Sequence, residues 1–283
     1  MDGVILINKE KGMTSRDMVN MICKKFNTTK VGHTGTLDPI ATGLMVICIG
    51  EGLKLVQLLT NHDKEYVAKV KLGIKTDTYD ITGNIIEENN NYNLNKEKLV
   101  HILNSFNGEY EQTVPIYSSI KVNGKKLYEY AREGKEVTLP KHLVKISNIS
   151  LLDFNNDSFT FKVTVSSGTY IRSLINDIGN KLSIPMTMEE LERTRVGDYH
   201  LEDATSIDEM KIIPIIDALN IKKIEIDESL LKKVSNGVKI KNTYQEDMVM
   251  FIYHNRPISI YKNDSGIMQS YRVFNINKYQ EHV

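Results

Sequence analysis

Two apolar runs stand out along the chain: Val4–Ile7 (VILI) and Leu44–Ile49 (LMVICI). Runs this short and this continuous fit strands buried on both faces, which predicts a strand over Gly3–Asn8 and a buried strand at Leu44–Ile49. Between them, Thr14 or Ser15 offers an N-cap, and Met18, Val19, Ile22 and Phe26 follow at helical spacing. The stretch VGHTGTLDPIATGLM, rich in Gly, Thr and Pro, reads as loop, and Leu53–Leu59 as a short helix. KEYVAKVKLG alternates: Tyr66, Ala68, Val70 and Leu72 share one face of a strand, and Glu65, Val67, Lys69 and Lys71 the other. The Asn-rich EENNNYNLNKEK predicts a surface loop, followed by a helix with Leu99, Val100, Leu103 and Phe106 on one stripe. LVKISNISLLDF and SFTFKVTV, joined at Asn155-Asn156-Asp157, predict a hairpin. GTYIRSLINDIGNKL opens a helix carrying Ile171, Leu174, Ile175, Ile178 and Leu182 on one face.

After Ile221 the pattern changes to short β-like runs (VKIKN, MVMFIY, PISIYK, YRVFNI). They are separated by turns at Asn236-Gly237, Asn255-Arg256-Pro257 and Asp264-Ser265-Gly266. A boundary just after Ile221 divides a large unit, 1–221, from a small β-rich module, 222–283. The expected fold class is α+β, with a large sheet, helices and an inserted basic segment.

The composition, 41% hydrophobic and 25% charged, is globular and excludes coiled-coil or collagen-like chains. No apolar run approaches the roughly 18 residues of a membrane span. The start, with four apolar residues before its charges, does not read as a signal peptide, so the expected location is the cytoplasm. Cys23 and Cys48 read as buried small hydrophobes in a reducing compartment. Without CxxC, HExxH or a close His pair, no metal site is expected.

The 36 basic and 36 acidic side chains cancel, but not locally. Lys121–Lys145 holds seven Lys/Arg against three Asp/Glu, whereas Thr187–Asp217 holds three against nine. A nucleic-acid partner would be held by the first segment. Its helix, LYEYAREG, lies between Gly124 and Gly134 and has little apolar stripe, so it is expected to project from the core.

Chemistry concentrates at Gly32–Gly43. An Asp-Pro pair alone is usually a turn starter. Here Asp38 lies among three glycines that allow close backbone approach, with Thr and His side chains able to donate to phosphate or sugar, in a loop between a helix and a buried strand. No Gly-Lys pair precedes a Ser or Thr, so this is not a triphosphate-binding loop.

GHTGTLDPIATGLM resembles the catalytic loop of the TruB-type tRNA pseudouridine synthases. The resemblance continues in order through Lys9–Ser15 (KEKGMTS), Lys64–Gly83, Tyr117–Gly134, Ser166–Gly179 and Leu191–Gly197. These six collinear blocks lie between about residues 3 and 220. The resemblance implies a large mixed, mainly antiparallel sheet with flanking helices, and a small C-terminal PUA-like RNA-binding module. It implies isomerisation of a T-loop uridine of tRNA, conventionally position 55, to pseudouridine, with no cofactor. It assigns Asp38 as the nucleophile and Arg172 as its bidentate partner. It places Tyr66 on the target base and in position for proton transfer, with Tyr170 as a pocket wall and Leu191 against the uracil. His33 stacks in the RNA loop as the base flips, and Lys9 joins the substrate-binding set. Read alone, each of these is a core aromatic, a helix-start Arg or a loop His. Lys121, Lys125, Lys126, Arg132 and Lys135 read alone as a solvated face; with Tyr128 and Tyr130 they also match the phosphate contacts and adaptable aromatics of an RNA-gripping insertion at about 121–145, the reading we favour. The protein is expected to act as a monomer on RNA. Two rivals are a non-catalytic RNA-binding or remodelling protein of the same fold, against which Asp38, Tyr66 and Arg172 stand, and a metal-dependent nuclease, against which stands the lack of a second carboxylate in the Asp38 loop.

Overall fold

The computed structural model describes residues 1–275; the last eight positions of the 222–283 module fall outside the described residues. The fold is α+β. A 10-stranded sheet runs in the order 212–214, 3–9, 42–49, 186–196, 64–72, 158–165, 141–154, 108–113, with 31–33 and 199–200 as short side pairs. Apart from the pairing of Thr42–Ile49 with Met186–Val196, the pairs of this sheet are antiparallel. At that parallel seam Gly43 has φ +102°, and a Cβ there would lie 2.4 Å from the Arg193 carbonyl oxygen, so the close approach requires glycine.

The two apolar runs behave as their continuity predicts. Ile5, Ile7, Met45, Ile47 and Ile49 face one way, into a core closed by Met18 and Ile22, Leu99 and Leu103, and Leu174 and Ile178 from the three longer helices. These helices are Ser15–Lys25, Lys96–Asn104 and Ile171–Leu182. Val4, Leu6, Leu44, Val46 and Cys48 face the other way. They meet Met250, Ile252 and Ile260 of a second, five-stranded sheet that begins at Lys222, and Phe274 just after its last strand. That contact explains why these strands show no polar alternation. Lys64–Leu72 lies beyond it, so Glu65, Val67, Lys69 and Lys71 stay partly exposed while Tyr66, Ala68, Val70 and Leu72 are buried.

Three details differ from the sequence reading. Val31–His33 is a strand, antiparallel to Ile47–Ile49, so the loop is confined to the residues after His33. Cys23 is only half-buried, because it sits beside rather than on the apolar stripe of its helix. The basic insertion ends earlier than 145: Lys141–Lys145 pairs with Glu109–Thr113 as part of the large sheet. What protrudes is a small hairpin, Lys121–Val122 with Lys125–Lys126, turning at Asn123-Gly124, followed by the helix Leu127–Arg132. Both turn residues have positive φ, as a two-residue hairpin turn needs.

Candidate active site

Asp38 is held by the chain on both sides of it. Ser15 Oγ donates to the Leu37 carbonyl at 3.1 Å and accepts from the Leu37 amide at 2.9 Å. The Gly12 amide donates to the Pro39 carbonyl at 2.7 Å. Lys9 is fully buried, and its ammonium donates to the carbonyls of Met13 (2.8 Å), Glu10 (3.0 Å) and Pro39 (3.4 Å). An ammonium has three donors, so Lys9 has neither surface nor a spare N–H for RNA. Its expected place among the substrate contacts is corrected to one behind the Asp38 loop. Burial, ahead of the opposing pull of Asp38, lowers its pKa.

Opposite stands Arg172, on the first turn of Ile171–Leu182. Its Nε donates to Asp38 Oδ2 at 2.8 Å and one terminal nitrogen donates to Oδ1 at 3.1 Å, a bidentate pair. The same terminal nitrogen donates to the Tyr117 carbonyl and the other to the Thr78 carbonyl, both at 3.1 Å. The guanidinium is thus fixed from three segments. The helix start is fixed too. The buried Gln112 amide clamps the main chain of Tyr170, accepting from its N–H at 2.8 Å and donating to its carbonyl at 3.1 Å. The Arg172 side chain is 6% exposed and that of Asp38 32%, so the carboxylate is anchored yet reachable.

Above the pair opens a cleft of about 390 Å³. Asp38, Tyr66, Tyr170, Arg172 and Leu191 all line it. Leu191 and Tyr66 come from neighbouring strands, where Leu191 pairs with Ala68 and Arg193 with Tyr66. His33 does not line the cleft; it ends the strand beside Thr34, which does. Burial, then the charges of Arg193 and Arg16, lower its pKa, and its Nδ1 is buried without a hydrogen-bond partner among the described residues. Lys125 and Lys126 stand outside, but Tyr128, from the helix that follows them, forms part of the wall. Lys126 and Arg132 lie over the Tyr128 ring, each at 5.3 Å, and Lys125 over the Tyr130 ring at 4.9 Å. Lys125 and Lys135 both pair with Glu133.

Two cleft residues escaped the sequence reading. Lys64 and Arg193 are 6% and 1% exposed and line the wall beside Tyr66 and Leu191. The signal was strand parity: the alternation that turns Tyr66 inward also turns Lys64 inward, and Leu191 does the same for Arg193. Burial, helped by Arg193, pulls the Lys64 ammonium down to about 8. Among the described residues, no group of three or more His, Cys, Asp or Glu is placed to hold a metal ion, and no helix is long and apolar enough to cross a membrane.

A family model described as TruB family pseudouridylate synthase, N-terminal domain, matches residues 23–171. The tRNA pseudouridine synthase B of Clostridium tetani is 42% identical over 275 residues, covering 94% of each chain. That of Bacillus subtilis is 43% identical over 262 residues, covering 86% of this chain and 85% of its own. Among solved structures, a chain of an H/ACA RNP bound to a substrate RNA containing 2′-deoxyuridine superposes with a TM-score of 0.71. It covers 96% of this chain and 85% of its own, at 23% identity, so that likeness concerns the fold. With these matches, and with Asp38 and Tyr66 inside the matched span, the chain belongs to the TruB family of pseudouridylate synthases.

Proposed function

We propose that the chain converts a uridine in the T-loop of tRNA, position 55 in tRNA numbering, to pseudouridine, with Asp38 as the nucleophile. The observation that carries this reading is the bidentate Asp38–Arg172 pair at the base of a cleft walled by Tyr66 and Leu191. Reaching a glycosidic bond requires the base to leave its stack, at a few kcal/mol, and to be gripped in a pocket. The carboxylate adds to ribose C1′ or uracil C6 as the N1–C1′ bond breaks. The base turns, C5 joins C1′, the bond to the Asp38 carboxylate breaks, the C5 proton is lost and N1 takes one up. Substrate and product are isomers, so the reaction consumes no co-reactant. Tyr66 and Leu191 sandwich the uracil, with Tyr66 placed for the proton transfer, and Tyr170 closes the wall. His33, which precedes Thr34 of the cleft wall, occupies the gap left in the RNA loop. The insertion around Lys121–Leu139 grips the RNA backbone, the module from residue 222 adds an RNA contact, and one copy of the chain suffices.

The test is to incubate unmodified tRNA with the protein in EDTA and to quantify pseudouridine and strand breaks. Pseudouridine at position 55 without breaks is expected. Asp38→Asn keeps the shape and removes the charge. It should bind tRNA but turn over at less than about a thousandth of the native rate, the loss of several kcal/mol that follows removal of an essential group. Retained turnover in that variant would refute the assignment of the nucleophile.

A further inference from the structure

Lys64 and Arg193 form the most highly charged part of the cleft wall not occupied by the Asp38–Arg172 pair. Both are more than nine-tenths buried. Among the described residues, neither has a carboxylate within salt-bridge distance. Lys64 donates to the carbonyls of Thr60 (2.8 Å) and His62 (2.9 Å), and Arg193 to those of Leu44 (2.7 Å) and Gly35 (3.2 Å). Two buried cations without an anion between them are costly. The Arg193 charge, after burial itself, lowers the pKa of Lys64. The space they share is open. A Cβ on Gly35 would lie 3.4 Å from an Arg193 terminal nitrogen and 3.4 Å from Lys64 Cε. Gly35 keeps that space clear, and the hydroxyl-bearing Thr34 and Thr36 flank it in the cleft wall.

The position of this cationic corner is set by strand geometry. Lys64 lies two residues from Tyr66 on the same strand face, and Arg193 two residues from Leu191 on the neighbouring strand. Two residues of strand span about 6.6 Å, the order of separation between a nucleobase and the phosphate of its own nucleotide. For a base between Tyr66 and Leu191, the corner thus lies at the distance of a backbone phosphate.

We propose that Lys64 and Arg193, with Gly35 open between them, form a phosphate-binding subsite that takes the phosphodiester next to the target uridine. It rests on the reading that an RNA uridine occupies the cleft. The subsite positions the ribose against Asp38 by holding the linkage beside it. It takes any RNA sequence, because a phosphate carries no base identity.

The test uses a T-arm stem-loop RNA with native linkages, and the same RNA with one neutral methylphosphonate on the 5′ or the 3′ side of the target uridine. Pseudouridine formation is measured as kcat and KM for the native protein, Lys64→Gln and Gly35→Ala. Circular dichroism and thermal melting confirm that each variant is folded, and Gly35→Ala, which leaves both cations in place, covers the case in which Lys64→Gln does not fold. A hydrogen bond to a charged group is worth about 1.5–3 kcal/mol, so Lys64→Gln should lower kcat/KM by about 10–100-fold, and Gly35→Ala, which puts a methyl group against both cations, should lower it in the same direction. The methylphosphonate on one side only should cost the native protein as much as Lys64→Gln does, and should cost either variant less than about 3-fold more. Losses that multiply independently would overturn the proposal, as would full activity of the native protein on both methylphosphonates. A native protein that makes no pseudouridine on any of these RNAs would instead remove the reading beneath it.

Discussion

Arg172 shows why a single side chain can be both legible and incomplete in a sequence. Its type at a helix start beside Tyr170 fits a carboxylate partner, but the Tyr117 and Thr78 carbonyls that hold its fork lie 55 and 94 residues away. Carbonyls leave no trace in residue identity. Lys64 and Arg193 were harder, because a cation on an alternating strand reads as solvent-facing and only its parity argues otherwise. Asp177, on the same helix as Arg172, was not visible at all. Burial raises its carboxyl to about 6 despite Asn176, Lys181 and Lys75, which pull the other way. Its folded-state pKa lies above the unfolded value of 3.8. The folded chain therefore holds the proton more tightly, and this stabilisation is complete below about pH 4 and lost as pH rises through about 6. Above that, a half-buried carboxylate opposes folding. Asp177→Asn should melt near the native temperature at pH 4 and several degrees above it at pH 7.5. A difference that stays constant with pH would refute this account.

At the scale of elements, patterns long enough to repeat were readable and short pairings were not. The helix stripes and the Lys64–Leu72 strand each bury the face their period predicts, and the hairpin forms where Asn155-Asn156-Asp157 joins its two runs, although bulges in Lys141–Phe154 break its alternation. The three-residue strand Val31–His33 was read as loop because Gly and His carry no β signal there, and only its pairing with Ile47–Ile49 defines it. The basic insertion illustrates a different limit. Counting charges from 121 to 145 treats every lysine as free, whereas Glu133 is shared in ion pairs with both Lys125 and Lys135, and Lys141 pairs with Glu111 in the sheet. If the insertion grips RNA, Glu133 restrains it. Glu133→Gln should tighten tRNA binding and steepen its dependence on salt, each freed contact adding roughly 0.7 to the log–log slope for single-stranded regions. Lys126→Ala should flatten the slope by a similar amount. Binding isotherms at four or five salt concentrations measure both, and unchanged slopes would leave these side chains as a solvated face.

Across the whole molecule, composition shifts mark where the second sheet begins but say nothing of how it is attached. Its strands share a core with Val4, Leu6, Leu44 and Val46. Arg272 adds bonds to the Lys54 carbonyl at 2.9 Å and to Gln57 Oε1 at 2.6 Å. Full-length protein should therefore unfold in one calorimetric transition. Phe274→Ala should lower it by the roughly 3–5 kcal/mol typical of a buried aromatic removed from a core. Two separate transitions would show the sheets to be independent. The parallel seam between Thr42–Ile49 and Met186–Val196 has a consequence in time. Arg193 and the Leu44 carbonyl it bonds are 149 residues apart, and contacts that distant form late because a long loop must close first. Everything on the Asp38 side of the cleft is synthesised long before the wall it needs, so a half-made chain leaving the ribosome is inert toward RNA however well its early strands have paired. The chain has no tryptophan, so refolding from denaturant is followed by far-ultraviolet circular dichroism beside activity. Most ellipticity should return before any pseudouridine is made, and activity should appear only with the slowest phase.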